Sequence, residues 1–399
     1  MIINLRKPPF FLLTVYVVYF LYYFADMNTS ANTMVKQTES RGNVHVYLAA
    51  LIGLLAVYFL SHRKWKLNDA FRGSFFAMIV WCGVVDLLVG ASFWAIATHV
   101  GLLVLFYLIY FFGGNYICSE QRYKVVIILE FSLWVITMWY AITAYFNFRD
   151  YYNGTKDIVL NMSYNILVFI PFLLQLKFRP IKIISLGLSA MYIVFSLKRG
   201  AIVAMVAIFV VYYYLSHRKT TRKAFTVGHK TMRNLIVIAA LMIVAVLVVD
   251  QKSGGALSRR FSFEMLRRGS NRDILYTLAW HDIQERNVLR LMIGRGSGSS
   301  LQIIGSGVHN EILEFLFSYG AIGLCFYLLF VYKGLKRVNM FHNTNLLDKQ
   351  VYAMCMTYII IVGLVGSALF SHTAFHLMLA MGMASGSATQ TLAGGTMDV

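Results

Sequence analysis

The chain has 399 residues, of which 59% are hydrophobic and 13% are charged, and its mean hydropathy is +0.65. A soluble domain averages about 45–50% apolar and about 25% charged residues, so a water-soluble fold could not cover this much apolar surface. The composition excludes a soluble enzyme, a disordered chain and a disulfide-rich secreted domain, and it predicts a polytopic membrane protein.

The net charge of +19 arises from 36 Lys and Arg against 17 Asp and Glu. In a soluble protein this excess would suggest a nucleic-acid partner, but in a membrane protein the basic residues collect in cytoplasmic loops. We therefore expect no nucleic acid. The four cysteines have no metal-like spacing and are predicted to be small core residues, namely Cys82, Cys118, Cys325 and Cys355.

Long apolar runs without period-2 alternation predict an all-α bundle of about twelve transmembrane helices. The run over 74–114 is too long for one crossing, and Gly90 marks the predicted turn within it. The first run lacks a convincing cleavage site and is predicted to be an uncleaved span. The last run is the weakest, because Gly and Ser dilute it after Met383. The predicted spans are 9–26, 44–61, 74–91, 93–114, 123–146, 158–176, 181–197, 200–216, 234–250, 311–332, 351–370 and 372–388.

Lys and Arg are distributed unequally between alternate gaps. One set of gaps holds 21 of them and the opposite short gaps hold 6. The positive-inside rule therefore places both termini in the cytoplasm, in agreement with an even number of spans.

One predicted external loop, over 251–310, is an exception. It divides the chain into a first bundle (1–250), the loop itself, and the last spans (311–399). Nine basic residues lie in the loop and eight are Arg, a side chain whose planar fork suits phosphate oxygens better than Lys does. The alternative is a solvated loop that touches anionic headgroups. The nine are Lys252, Arg259, Arg260, Arg267, Arg268, Arg272, Arg286, Arg290 and Arg295.

A short amphipathic helix is predicted over 271–285 within this loop, with Ser270 or Asn271 as its cap and Asp273 in its first turn. We expect it to lie at the membrane surface. The segment 294–298 follows, with a Gly-Arg-Gly-Ser-Gly sequence that predicts a flexible backbone able to approach a ligand closely.

The strongest motif is His309-Asn310-Glu311, with Glu314 one turn further on, where the loop meets the tenth span. A neutral imidazole at this boundary can accept a proton from a hydroxyl near neutral pH. We take His309 and Glu314 as catalytic candidates, with Asn310 and Glu311 as substrate-binding candidates. The alternative is a histidine that only anchors a helix at the interface.

Lys198 and Arg199 lie at a tight external hairpin between two spans. A basic pair near hydrocarbon is costly, so it predicts cations held at a fixed position facing the long loop. The alternative is snorkelling into the headgroups. Lys198 is a further substrate-binding candidate.

Two carboxylates, Asp86 and Glu130, lie inside predicted spans, where they are either functional or paired. His372 and His376 are one helical turn apart without a third metal ligand, so we predict no metal site. The chain has no Asp-x-Asp pair, P-loop, Gly-x-Ser-x-Gly or His-Glu-x-x-His motif. Chemistry on a phosphorylated substrate would therefore depend on guanidinium groups.

Together these residues resemble the O-antigen polymerase and ligase superfamily of bacterial membrane glycosyltransferases. The resemblance covers about residues 190–330. Its marks are His309-Asn310 followed after nine residues by Gly320-x-x-Gly323, the run Ser196, Arg199 and Gly200, and Arg272 with the Gly294-x-Gly296 turn.

The resemblance implies a membrane glycosyltransferase fold of the C type in the bacterial inner membrane. It implies a donor glycan on undecaprenyl pyrophosphate, a glycan or lipid A core acceptor, a chain-length regulator as a further partner, and neither a metal nor another cofactor. His309 would be the base, and Arg199 and Arg272 would bind the pyrophosphate with Arg295.

We expect first a polymerase that joins lipid-linked repeat units into O-antigen or a similar polysaccharide. The close alternative is the O-antigen ligase, which moves the finished glycan onto lipid A core. A transporter or flippase of the lipid-linked oligosaccharide is disfavoured, because the chain has only four prolines and no visible internal repeat.

Overall fold

A computed structural model describes residues 10–32, 41–61, 70–117, 120–151, 162–196, 198–218, 272–341 and 346–394, together with 247, 250, 251 and 262. Every regular element in these ranges is helical, so the described part of the chain has an all-helical fold. The predicted span over 234–250 and the loop arginines before Arg272 lie outside these ranges, apart from the isolated positions.

The helices follow the predicted spans closely at most positions, and the turn predicted at Gly90 is present with a φ of 66°. The predicted span over 158–176 is two short helices that meet before Pro171. We number the helices of the described residues α1 (Phe10–Asn32), α2 (Arg41–Ser61), α3 (Ala70–Val89), α4 (Phe93–Tyr116), α5 (Glu120–Tyr151), α6 (Met162–Leu167), α7 (Ile170–Leu173), α8 (Arg179–Phe195), α9 (Arg199–Arg218), α10 (Arg272–Gln284), α11 (Val288–Ile293), α12 (Ser299–Ile304), α13 (Glu311–Met340), α14 (Leu346–Val365) and α15 (Ala374–Gly394).

Seven helices in the described ranges are long and apolar enough to cross a membrane, which supports a helical membrane bundle. They are α2, α3, α4, α5, α9, α13 and α14. Two shorter apolar segments, Phe10–Ala25 and Met162–Leu173, lie within two further predicted spans.

The glycines that dilute the last predicted span allow it to pack closely. A Cβ atom at Gly382 would overlap the carbonyl oxygen of Tyr110, and one at Gly386 would overlap that of Gly114. Small residues of this kind let two helix backbones approach in a membrane protein. Nearly all described side chains of α15 are buried as a result, although its sequence is the least apolar of the predicted spans.

Helix α13 is kinked at Gly320, where φ is 69° and ψ is −172°. The kink frees the carbonyl groups of the preceding turn, and donors from elsewhere bind three of them. Phe317 O accepts from Arg286 Nη1 at 2.8 Å, Ser318 O from the Gly296 amide at 2.7 Å, and Tyr319 O from Trp81 Nε1 at 3.1 Å. The broken helix end thus keeps its polar groups satisfied.

Helices α10, α11 and α12 pack beside the first half of α13. The predicted helix over 271–285 is observed as α10, and Ala279 and Ile283 on its inner face pack with Val308 and Phe317. We expected the apolar face of this helix at the membrane surface, but part of it packs against other residues of the protein.

Candidate functional site

His309 lies in a tight turn immediately before α13. Its φ of 57° is the only positive value among the non-glycine residues that the structure describes. Such a conformation costs about 1–2 kcal/mol for an L-residue, and strain of this kind concentrates at functional sites. The next residue, Asn310, caps α13 by accepting from the Leu313 amide at 3.0 Å and donates to Leu364 O at 3.1 Å.

Glu314 holds this turn in place. Its carboxylate accepts hydrogen bonds from the Val308 amide at 3.1 Å, from Ser300 Oγ at 2.8 Å and from Ser318 Oγ at 2.9 Å. The side chain is buried and all three partners are neutral donors. We interpret Glu314, a catalytic candidate from the sequence, as a positioning residue for His309.

Two sequence-predicted cations act on His309, and a third acts on one of these two. Arg272 begins α10, while Lys198 and Arg199 lie at the start of α9. The positive charges of Arg272 and Lys198 both act on the His309 imidazole, and those of Arg272 and Arg199 act on each other. The structure thus brings together residues that are more than a hundred positions apart in the chain.

The surroundings favour the neutral form of the His309 imidazole. Desolvation by neighbouring protein atoms lowers the pKa of its imidazole below the ordinary value, and the charges of Arg272 and then Lys198 lower it further, while Glu314 opposes the shift. The ring is nonetheless reachable from outside, since the residue is exposed. A neutral, accessible imidazole beside several cations can accept a proton while an anion binds next to it.

Tyr164, on α6, was not predicted from the sequence and completes this cluster. The ammonium group of Lys198 lies 5.7 Å from the centroid of its ring, and its hydroxyl interacts electrostatically with Arg272. A Cβ atom at Gly200 would overlap that hydroxyl, which explains a glycine directly after Arg199. Only the contact across the fold reveals this tyrosine, because its sequence context is an ordinary apolar span.

Arg295, predicted to bind pyrophosphate, is held by a carboxylate. Its Nη2 and Nε atoms donate to Asp282 at 2.7 and 3.2 Å, and Arg286 donates to the same carboxylate at 2.5 and 2.9 Å. Burial raises the pKa of Asp282, but the hydrogen bonds and charges of both arginines lower it below the ordinary value overall. The clamp joins α10 to the Gly294–Gly298 turn, and a role of Arg295 at the pyrophosphate stays a prediction.

The glycine-rich turn approaches protein backbone. A Cβ atom at Gly294 would lie 2.5 Å from the Gly320 amide, so the two glycines allow close contact between the turn and α13. Ser297 then donates from its amide and its hydroxyl to Asp86 at 2.7 and 2.6 Å. The flexibility expected of this segment is replaced by a fixed turn, and Asp86 is one of its anchors.

Glu311 has its hydrogen-bond partners in α13 and in the turn before α15. Its buried carboxylate accepts hydrogen bonds from the Leu369 amide and from the Tyr327 hydroxyl, the latter at 3.1 Å. This side chain connects α13 to the turn before α15. A direct contact with substrate stays a prediction.

The second intramembrane carboxylate, Glu130, belongs to a separate buried network. It accepts from the Tyr16 hydroxyl at 2.7 Å, and its other oxygen lies 2.7 Å from His376 Nδ1. Tyr19 completes the chain at 2.8 Å from His376 Nε2. Among the described residues, no group of three or more His, Cys, Asp or Glu side chains is arranged to hold a metal ion.

Comparison with known family models and curated proteins identified no relative of this chain. No family model matches the chain, and no curated protein has a matching sequence. The geometry of the His309 cluster is therefore the basis for a functional assignment.

Proposed function

We propose that the protein is a membrane glycosyltransferase that polymerises lipid-linked oligosaccharide repeat units on the outer face of the bacterial inner membrane. The proposal includes a C-type glycosyltransferase fold with about twelve spans and both termini in the cytoplasm. One observation carries it. His309, which can act as a base, lies within electrostatic range of Arg272 and Lys198, and Arg199 interacts with Arg272.

The reaction follows from the chemistry of these groups. An acceptor sugar hydroxyl would attack the anomeric carbon of the donor glycan, and its proton would pass to the neutral imidazole of His309. The bond from that carbon to the phosphate oxygen would break, and undecaprenyl pyrophosphate would leave with the electron pair. The base contributes about 10²–10⁴-fold to the rate of such a step.

The cations suit the leaving group. Charge develops on the pyrophosphate oxygens as the glycosidic bond breaks, and guanidinium groups fixed in a site of low dielectric stabilise that charge. Arg272 and Arg199 are both partly buried, which keeps them near the protein surface without full hydration. A lipid donor can reach them while its chain stays between helices in the bilayer.

The test is complementation of a deletion strain with single variants, followed by gel analysis of surface glycan. His309→Ala is expected to lose the ladder of long chains, while His281→Ala, which removes an exposed histidine from α10, keeps it. Arg272→Lys is expected to lose most activity, since Lys lacks the bidentate fork. A full ladder from His309→Ala would contradict the assignment of the base.

The deletion strain itself distinguishes the alternatives. Single repeat units attached to lipid A core indicate a polymerase. Absence of all attached glycan, with long chains left on the lipid carrier, indicates a ligase. Repeat units retained on the cytoplasmic side of the membrane indicate a flippase.

A further inference from the structure

Helices α11 and α12 carry large apolar side chains that no residue in the described part of the chain covers. The exposed fractions are 77% for Val288, 67% for Leu289, 57% for Leu301 and 48% for Ile303. Large apolar side chains exposed on two neighbouring segments outside the spans indicate an interaction surface. We call these four residues the apolar edge.

The contact between Gly294 and Gly320 fixes the depth of this segment. From Gly320, α13 continues without a further break through Lys333 to Lys336, and at 1.5 Å per residue the distance along the axis is about 20 Å to the first and about 24 Å to the second. The hydrocarbon core of a bilayer is about 30 Å thick. Lys333 and Lys336 are the first two charged residues after the kink, and their charge favours one membrane boundary, so Gly294 lies about 6–10 Å inside the opposite boundary.

Helix α3 independently supports a position of the kink below the membrane boundary. Trp81 donates to Tyr319 O at 3.1 Å, which sets it beside the kink. The helix continues for a further eight residues, or about 12 Å, to Val89. The end of α11 that contacts the kink therefore lies well below the end of a membrane-spanning helix.

The apolar edge is also continuous with surface that faces lipid. The turn after α11 contacts the end of α3 at Val89 and the start of α4 at Ala95, and the neighbouring Leu88 and Phe93 are 67% and 73% exposed. Both helices are long and apolar enough to span a membrane. A partner with the chemistry of lipid chains fits the combined surface.

From these observations we infer that α11 and α12 form an interfacial element, whose apolar edge inserts into the acyl region of the leaflet on the His309 side. An insertion of about 6–10 Å lies in the 5–10 Å range typical of interfacial helices. The exposed Glu285 and Arg290 then lie at headgroup level, where the long Arg290 side chain can snorkel. This inference does not depend on the proposed enzymatic activity.

Fluorescence quenching in liposomes tests the inference. The full-length protein, with Cys82, Cys118, Cys325 and Cys355 replaced, is labelled with bimane at Leu289→Cys or, separately, at Glu285→Cys. These positions are matched, because Leu289 is 67% exposed and the Glu285 side chain is 69% exposed. Brominated phospholipid is expected to quench the label at 289 about twofold more than the label at 285, and aqueous iodide is expected to show the reverse.

Two results would overturn the inference. Equal access of iodide to both positions would place the edge in water. Protection of position 289 from both quenchers would mean that protein covers it, either a second copy or residues 252–271. If the cysteine-replaced protein does not fold, a benzophenone amino acid at 289 in the natural chain gives a crosslink whose mass identifies lipid or protein.

Discussion

The contact between Gly294 and Gly320 is accessible to a direct energetic test through Gly320→Ala. Alanine at the φ and ψ of Gly320 costs about 1–3 kcal/mol, because that region is essentially restricted to glycine. Its Cβ atom would also overlap Met292 O and lie 2.7 Å from the Gly294 amide, and overpacking of this kind costs a further 1–3 kcal/mol or so. We therefore expect Gly320→Ala to destabilise the protein by about 2–6 kcal/mol in total.

Gly305→Ala is the matched control. Gly305 also has a positive φ, 80°, but a Cβ atom there would meet nothing within 4 Å. Only the backbone cost applies, about 1–2 kcal/mol. The assay is the fraction of detergent-purified protein that survives heating, measured by size-exclusion fluorescence. Equal losses of apparent melting temperature for both variants would show that the glycine contact contributes no packing energy, and would refute the reasoning.

Further predictions concern charge. Lys198→Met removes a positive charge that lowers the His309 pKa, so the acidic limb of the pH–rate profile should move to higher pH; an unmoved limb would count against His309 as the base. Asp282→Asn leaves the Arg286 side chain, which is 1% exposed, without its counter-charge. A loss of about 2–4 kcal/mol is expected in the same heating assay. Glu130→Ala leaves two buried partners unsatisfied, at about 1–3 kcal/mol each, whereas Glu130→Gln should lose less; equal losses would contradict the hydrogen-bond account.

Local features of the fold were predictable from the sequence. The helix expected over 271–285 is present as Arg272–Gln284, and the turn at Gly90 has the positive φ that glycine favours. Both features are determined by residues close in the sequence. The helix follows from its apolar periodicity, and the turn follows from a glycine within a run too long for one crossing. The kink at Gly320 was not predicted, because its cause is the backbone of Met292 and Gly294, which the local sequence does not contain.

The last predicted span shows how an interpretation can be reversed by packing. Gly382 and Gly386 weakened the hydropathy signal, yet these residues let α15 approach α4 most closely. Hydropathy measures transfer into lipid, whereas a helix surrounded by other helices gains from backbone proximity. The partners of Asp86 and Glu130 were likewise unpredictable, since Ser297 and His376 are 211 and 246 residues away along the chain.

The candidate site contains two kinds of group. Carboxylates anchor the surrounding segment, whereas a cation and an imidazole are the proposed reacting groups. The carboxylates of Glu314, Asp282 and Asp86 are each bound by donors of the segment between α10 and α13, so they hold its fold. Arg272 is partly buried, His309 is exposed, and the charge of Arg272 acts on the His309 imidazole. Loss of an anchor should therefore lower stability and activity together, because the turn that carries the imidazole moves with it. Loss of a reacting group should lower activity alone, since little of the packing depends on its side chain.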